Sequence, residues 1–272
     1  MRLTAYGETN TGRRRAQNQD RVLCYTDPVE QTAIGLYAVA DGMGGQNSGE
    51  VASEITVETI GRDLESFIQQ VLVPSARGEG SETERLSADG PDMSTPNLSL
   101  RDALFDAIAR TNQQIRDFGI TNPESAGLGS TLTIALVVGD LALIGNVGDS
   151  RTYLLRGGAI RRLTQDHSLV NSLVRQGLIT DEEVYSHPHR NLVYQALGTR
   201  PEVSPDISAE RLLAGDVLLL CSDGLWEMVR DDEIRRVVES EPDLEAMVSQ
   251  LITLANANGG MDNISVVAVR VS

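Results

Sequence analysis

Apolar residues follow two rhythms along this chain. Residues 34–40 (IGLYAVA) form an unbroken apolar run that stops at an Asp-Gly pair, the pattern of a buried strand delivering its last residues to a surface. Residues 49–73 then carry apolar side chains at three- and four-residue intervals (Val51, Ile55, Ile60, Leu64, Ile68, Leu72), which predicts an amphipathic helix. Gly, Ser, Pro and acidic residues break the pattern over 74–97, where a mobile loop inside the domain is expected. Helical spacing returns over 98–118. Three strand-like runs follow at 130–139, 140–147 and 151–156, separated by short turns containing Gly or Asp, and predict an antiparallel meander. A polar stretch with helical character, 168–190, leads to a strand at 216–221, helices around 231–239 and 244–256, and a last strand at 264–271. Strands grouped in runs and helices in pairs predict α+β layers, and there is no internal repeat.

Composition narrows the function classes. A chain of 272 residues, 40% hydrophobic and 23% charged, can bury a substantial core, and a single domain over 1–272 is expected. No run approaches the roughly 18 apolar residues of a membrane helix, and residues 1–15 lack the apolar centre of a signal peptide. The cytoplasm is the expected compartment, with no membrane contact and no anchor after the last strand. Cys24 and Cys221 sit in otherwise apolar strand-like segments and are expected to be buried thiols. The net charge is −16, and Arg13, Arg14 and Arg15 form the one clustered basic run, which argues against nucleic acid as a partner. Solubility alone explains such acidity, as does a gathering of carboxylates around cations. All 23 basic residues are arginine. Without lysine there is no P-loop lysine, no kinase-type catalytic lysine and no Schiff base.

Several aspartates share one local design, a strand end followed by Gly or a small polar residue: Asp41-Gly42, Asp149-Ser150, Asp223-Gly224, and Asp262-Asn263 after Gly259-Gly260. Asp20 begins a further strand. One Asp-Gly is far more often a turn than a ligand, but repetition changes the odds. Hard cations such as Mg²⁺ and Mn²⁺ take carboxylate and carbonyl oxygens, whereas three histidines and two scattered cysteines make a zinc site of the usual kind improbable.

The segments RAQNQD at 15–20, VADGMGGQNSGE at 39–50, GST at 129–131, GNVGDSR at 145–151, LTQDHS at 163–168, CSDGLW at 221–226 and GGMDNI at 259–264 span nearly the whole chain. In content and order they resemble the motifs of the PPM, or type 2C, serine/threonine protein phosphatases of bacterial type. That resemblance implies a β-sandwich of two antiparallel sheets flanked by α-helices, with two Mn²⁺ or Mg²⁺ ions in a cleft at one end. By position, Asp41 would bridge the ions with help from the Gly42 carbonyl, Asp223 and Asp262 would complete the first, and Asp20 would support the second. Asp149 with Asp223 would hold a weaker third. Arg15 matches the arginine that grips the substrate phosphate, where a planar guanidinium makes paired hydrogen bonds. The implied reaction is attack of a metal-activated water on phosphorus, with no covalent phosphoenzyme. Phosphoprotein substrates and an opposing serine/threonine kinase are expected partners, and the chain is expected to be a monomer.

The chain departs from the family pattern at Met43 and Gln46, where relatives carry histidines, and at Gln19, a position often held by Glu. His167 is expected to be a structural histidine bonded to a flap at about 168–190. The rival from another class is a phosphoprotein-binding module without turnover. A cysteine phosphatase is disfavoured because no phosphate-cradling arginine closes the loop after Cys221.

Overall fold

The computed structural model describes residues 1–27, 33–45, 48–69 and 100–272. The loop expected at 74–97 and Gln46 lie outside the described residues. In chain order the elements are β1 (Leu3–Asn10), β2 (Asp20–Asp27), β3 (Ile34–Met43), α1 (Ser48–Phe67), α2 (Leu100–Thr121), β4 (Gly129–Ser130), β5 (Leu132–Val138), β6 (Leu141–Val147), β7 (Arg151–Arg156) and β8 (Ala159–Arg162). Then come α3 (Leu169–Arg175), α4 (Asp181–Val184), β9 (Asp206–Arg211), β10 (Val217–Cys221), α5 (Asp223–Trp226), α6 (Asp231–Ser240), α7 (Leu244–Ala257) and β11 (Ile264–Val271).

The strands form two antiparallel sheets. The first runs β1-β11-β10-β7-β8, and the second runs β2-β3-β5-β6-β9 with β4 paired to the end of β3. Their inner faces meet through Tyr37, Val39, Val137, Ile144, Leu154, Leu218, Leu220, Val267 and Val269. The outer face of the second sheet is covered by α1 and α2, where Ile34, Leu36 and Ala38 pack against Ile60, Leu64, Leu104 and Ile108. The outer face of the first is covered by α5, α6 and α7, with Val217, Leu219 and Cys221 against Trp226, Ile234 and Leu251. Helices on both outer faces explain the unbroken apolar runs. Alternate residues of β3 and β10 serve the inter-sheet core and the sheet-helix core, so neither face tolerates polarity.

Two expectations need correction. The three runs at 130–156 are not one meander: β5 and β6 pair in the second sheet, but β7 pairs with β10 and β8 in the first. The chain changes sheets at residues 148–150, where Gly148 takes φ 103°. Asp149 is thereby placed at the corner between the sheets. Cys24 is exposed whereas Cys221 is buried, because Cys24 sits on β2 at the edge of its sheet and Cys221 on the interior strand β10. None of the described helices is long and apolar enough to cross a membrane.

Candidate active site

The aspartates meet where the strand ends of both sheets converge. Asp20, the first residue of β2, stands directly opposite Asp41 in the β2-β3 ladder. Like charges at facing positions are unfavourable, so this pairing calls for a compensating cation. The Asp41 backbone is held firmly. Its N–H donates to Thr131 Oγ1 at 3.0 Å, while its carbonyl accepts from Thr131 N at 2.8 Å and Ser130 Oγ at 3.1 Å. Gly42 follows, and a Cβ there would lie 1.9 Å from the Gly49 carbonyl oxygen at the start of α1. Only glycine permits α1 and β3 to approach so closely.

Asp223 opens the short helix α5, and its neighbour Gly224 packs so tightly that a Cβ would come within 1.9 Å of the Asn263 carbonyl oxygen. Ser222 donates through Oγ to Asp20 Oδ2 at 2.8 Å, tying the β10 end to the β2 start. Asp262 takes the Nη2 proton of Arg15 on Oδ2 at 2.6 Å and its own neighbour's N–H, from Asn263, on Oδ1 at 2.8 Å. Asn263 is the keystone of the Arg15 loop. Its amide donates to the Thr11 and Gln17 carbonyls, each at 2.9 Å, and its Oδ1 accepts from Gln19 N at 2.9 Å.

Asp149 at the sheet corner is buried, and its carbonyl accepts from Trp226 Nε1 at 3.0 Å. His167 fastens the residue before it: Gly148 N donates to Nδ1 at 3.2 Å, as does Gln195 Nε2 at 2.9 Å, and Nε2 faces Asp206 Oδ2 at 3.2 Å. With Nδ1 accepting, the ring proton sits on Nε2 and points to Asp206.

Electrostatically the cleft is far out of balance. Burial pushes the Asp20 carboxyl up to about 6, against hydrogen bonds from Ser265 and Ser222, and pushes Asp149 up to about 7, with Asp166 adding to the effect and Arg151 opposing it. Asp41 and Asp223 are raised well above the carboxylate range, first by burial and then by repulsion from the other aspartates of the cleft. Two buried oxygens, Asp20 Oδ1 and Asp223 Oδ1, have no hydrogen-bond partner. Among the described residues no group of three His, Cys, Asp or Glu side chains stands drawn together as a finished metal cage. What exists is a set of mutually repelling carboxylates, with Arg15 paired to Asp262 and Arg151 acting on Asp149. The orphaned oxygens, the all-oxygen donor set and the excess negative charge suit hard divalent cations.

The sequence pattern described as protein phosphatase 2C matches residues 9–265. The chain belongs to that family. Protein phosphatase PhpP of Streptococcus pneumoniae is 34% identical over 261 residues, spanning 96% of this chain and 94% of the relative. Among solved structures, the serine/threonine phosphatase of S. agalactiae superposes with a TM-score of 0.81 at 34% identity, covering 99% of this chain and all of that one. The catalytic domain of the serine threonine protein phosphatase PstP, solved with two manganese ions, gives 0.79 at 32% identity and 99% coverage of both. This phosphatase is therefore a protein serine/threonine phosphatase by family, with the αββα sandwich of its relatives.

In the phosphatase, Asp20, Asp41, Gly42, Asp149, Asp223, Asp262 and Arg15 all lie at this one end of the sandwich. Sequence reasoning overlooked the residues that hold them: Asn263, Ser222, Thr131 and Trp226. The available signal was a polar residue directly beside each strand-end aspartate, Ser222 before Asp223 and Asn263 after Asp262. The backbone carbonyl of Gln19 accepts from Gly42 N at 3.1 Å and Ser53 Oγ at 2.5 Å, fastening the start of β2 to β3 and α1.

Proposed function

We propose that this phosphatase hydrolyses phosphoserine and phosphothreonine in proteins using two Mn²⁺ or Mg²⁺ ions, and that in the cytoplasm it opposes a serine/threonine protein kinase. The observation that carries the reading is the charge imbalance of the cleft. A phosphate dianion cannot approach five carboxylates, which Arg15 and Arg151 only partly offset, unless further cations neutralise them. Asp41, the Gly42 carbonyl, Asp223 and Asp262 would hold one ion, Asp41 and Asp20 would support the other, and Asp149 with Asp223 a further, weaker one. When bound, the ions supply Lewis-acid chemistry, polarising water and the phosphoryl oxygens.

The protein's own residues do the positioning. The Asp41 backbone is fixed by Ser130 and Thr131, which sets where its carboxylate enters the cleft. Arg15 has five donors, and the bond to Asp262 uses one, leaving the guanidinium free to present a pair of N–H groups to phosphate. Asn263 holds the loop that sets where Arg15 emerges. No protein group is assigned as proton donor to the leaving oxygen. Met43 has no proton to give, and both His167 ring nitrogens are engaged.

Hydrolysis of p-nitrophenyl phosphate and of a phosphothreonine peptide is expected with added Mn²⁺ or Mg²⁺ and not in chelator, and Asp223→Asn is expected to abolish it with the fold intact. Folded wild type that turns over neither substrate with either ion would reject the reading in favour of a phosphoprotein-binding module.

A further inference from the structure

Trp226 and Arg151 touch no reacting group in the scheme above, yet both are buried polar side chains wired to the acidic cleft. Trp226 closes the turn that Asp223 opens, three residues earlier in α5. Its indole N–H crosses to the other sheet's corner and binds the Asp149 carbonyl at 3.0 Å. Asp149 lies between β6 and β7 and has no ladder partner of its own. One side chain thus links the backbones that carry the two carboxylates, joined to Asp223 through the helix and to the Asp149 carbonyl through a hydrogen bond.

The indole is itself fixed. The Arg151 guanidinium carbon lies 3.5 Å from the ring centroid, a stacked cation-π contact too close for intervening water. Arg151 in turn binds Asp166 through Nε and Nη2 at 3.0 and 2.7 Å and Tyr153 OH through Nη1 at 3.1 Å. Arg151 is only two residues beyond Asp149, so the frame closes on itself: Asp149 to Arg151 by chain, Arg151 to Trp226 by stacking, Trp226 back to Asp149 by hydrogen bond. An aliphatic residue would fill the same space and phenylalanine would stack on the arginine. Only the indole N–H ties the corner to α5. Of the charges that repel Asp223, Asp149 acts most strongly, so the two carboxylates would spread without a restraint.

We propose that Trp226, clamped by Arg151, is a positioning residue that sets the spacing of Asp149 and Asp223 and thereby the affinity of the divalent cation those two carboxylates share. The inference rests on the metal-dependent reading above.

Its test is calorimetric titration of Mn²⁺ into chelator-stripped full-length wild type, Asp149→Asn and Trp226→Phe. The weakest binding step is expected to disappear in Asp149→Asn and to weaken about fivefold in Trp226→Phe, the worth of one buried hydrogen bond, with the tighter steps unchanged. A full-strength weakest step in Trp226→Phe, or equal weakening of every step, would overturn the proposal. Trp226 is the sole tryptophan of the chain, which gives a second readout without any change to it. Its emission in wild type is expected to change as the weakest step saturates, and to lose that change in Asp149→Asn. Emission indifferent to Mn²⁺, or the same response in Asp149→Asn, would overturn the proposal even if Trp226→Phe failed to fold. Wild type that binds no Mn²⁺ at all would instead remove the metal-dependent reading on which the inference stands.

Discussion

Neutralising Asp149 should stabilise the phosphatase in chelator. Burial moves this carboxyl from its ordinary 3.8 to about 7. A folded-state value raised above the unfolded one means that ionisation works against the fold. The penalty is absent below about pH 4, where both states are protonated, grows as pH rises through the window between the two values, and is complete above about pH 7. Each tenfold change in proton affinity is worth about 1.4 kcal/mol, so the full penalty is roughly 4 kcal/mol. Asp149→Asn removes the ionisation, and for a chain of this length about 2 °C of Tm accompanies each kcal/mol, which gives a rise of up to about 8 °C. The assay is thermal unfolding of wild type and variant in chelator at pH 8 and pH 5. At pH 8 the variant should melt higher, and at pH 5, where the wild-type carboxyl is already protonated in the fold, most of the difference should vanish. A variant no more stable than wild type at pH 8, or stabilised equally at both pH values, would refute the reasoning.

Arg15→Ala is expected to lower kcat/KM for p-nitrophenyl phosphate by roughly 10- to 100-fold, the value of a lost charged hydrogen-bond pair, and Arg15→Lys to recover only part of it because a single ammonium cannot pair with two phosphoryl oxygens. Steady-state kinetics in saturating Mn²⁺ decide this, and an unchanged Arg15→Ala would remove the residue from the site. Gly42→Ala should fail to give folded protein or lose several °C of Tm, since its Cβ meets backbone that cannot move aside, at 1.9 Å from the Gly49 oxygen. Asp166→Asn leaves the buried Arg151 guanidinium without its paired carboxylate and should cost about 3 to 5 kcal/mol, read by urea unfolding.

The layered architecture was legible because most strands are buried on both faces. The run at 34–40 appears as β3, and the strand expected at 264–271 matches β11 residue for residue. What stayed hidden has polar faces. β9 reads DISAER and β8 reads AIRR, edge strands with mostly exposed side chains and no apolar signal to mark them, and β1 mixes Thr, Gly, Glu and Asn along its length. The sheet change at residues 148–150 was equally invisible, because pairing between distant strands is not written in local periodicity. In the cleft, strand-end aspartates stood out by repetition. The side chains that orient them, Asn263 and Trp226 above all, act through backbone groups far away in sequence, which no spacing rule reveals.

β11 lies between β1 and β10, so the strand that begins at Ile264 is the inner neighbour of the strand that begins at Leu3. A chain emerging N-terminus first therefore carries an unpaired β1 until β11 is made, with Asp262 and Asn263 arriving just ahead of the strand that completes the sheet. Arg15 has no anchor until then. A polypeptide that stops short of residue 262 lacks both Asp262 and the asparagine that holds the Arg15 loop, so on the reading proposed above it should be inactive. The topology thus couples assembly of the cleft to the seating of β11 between two strands made long before it.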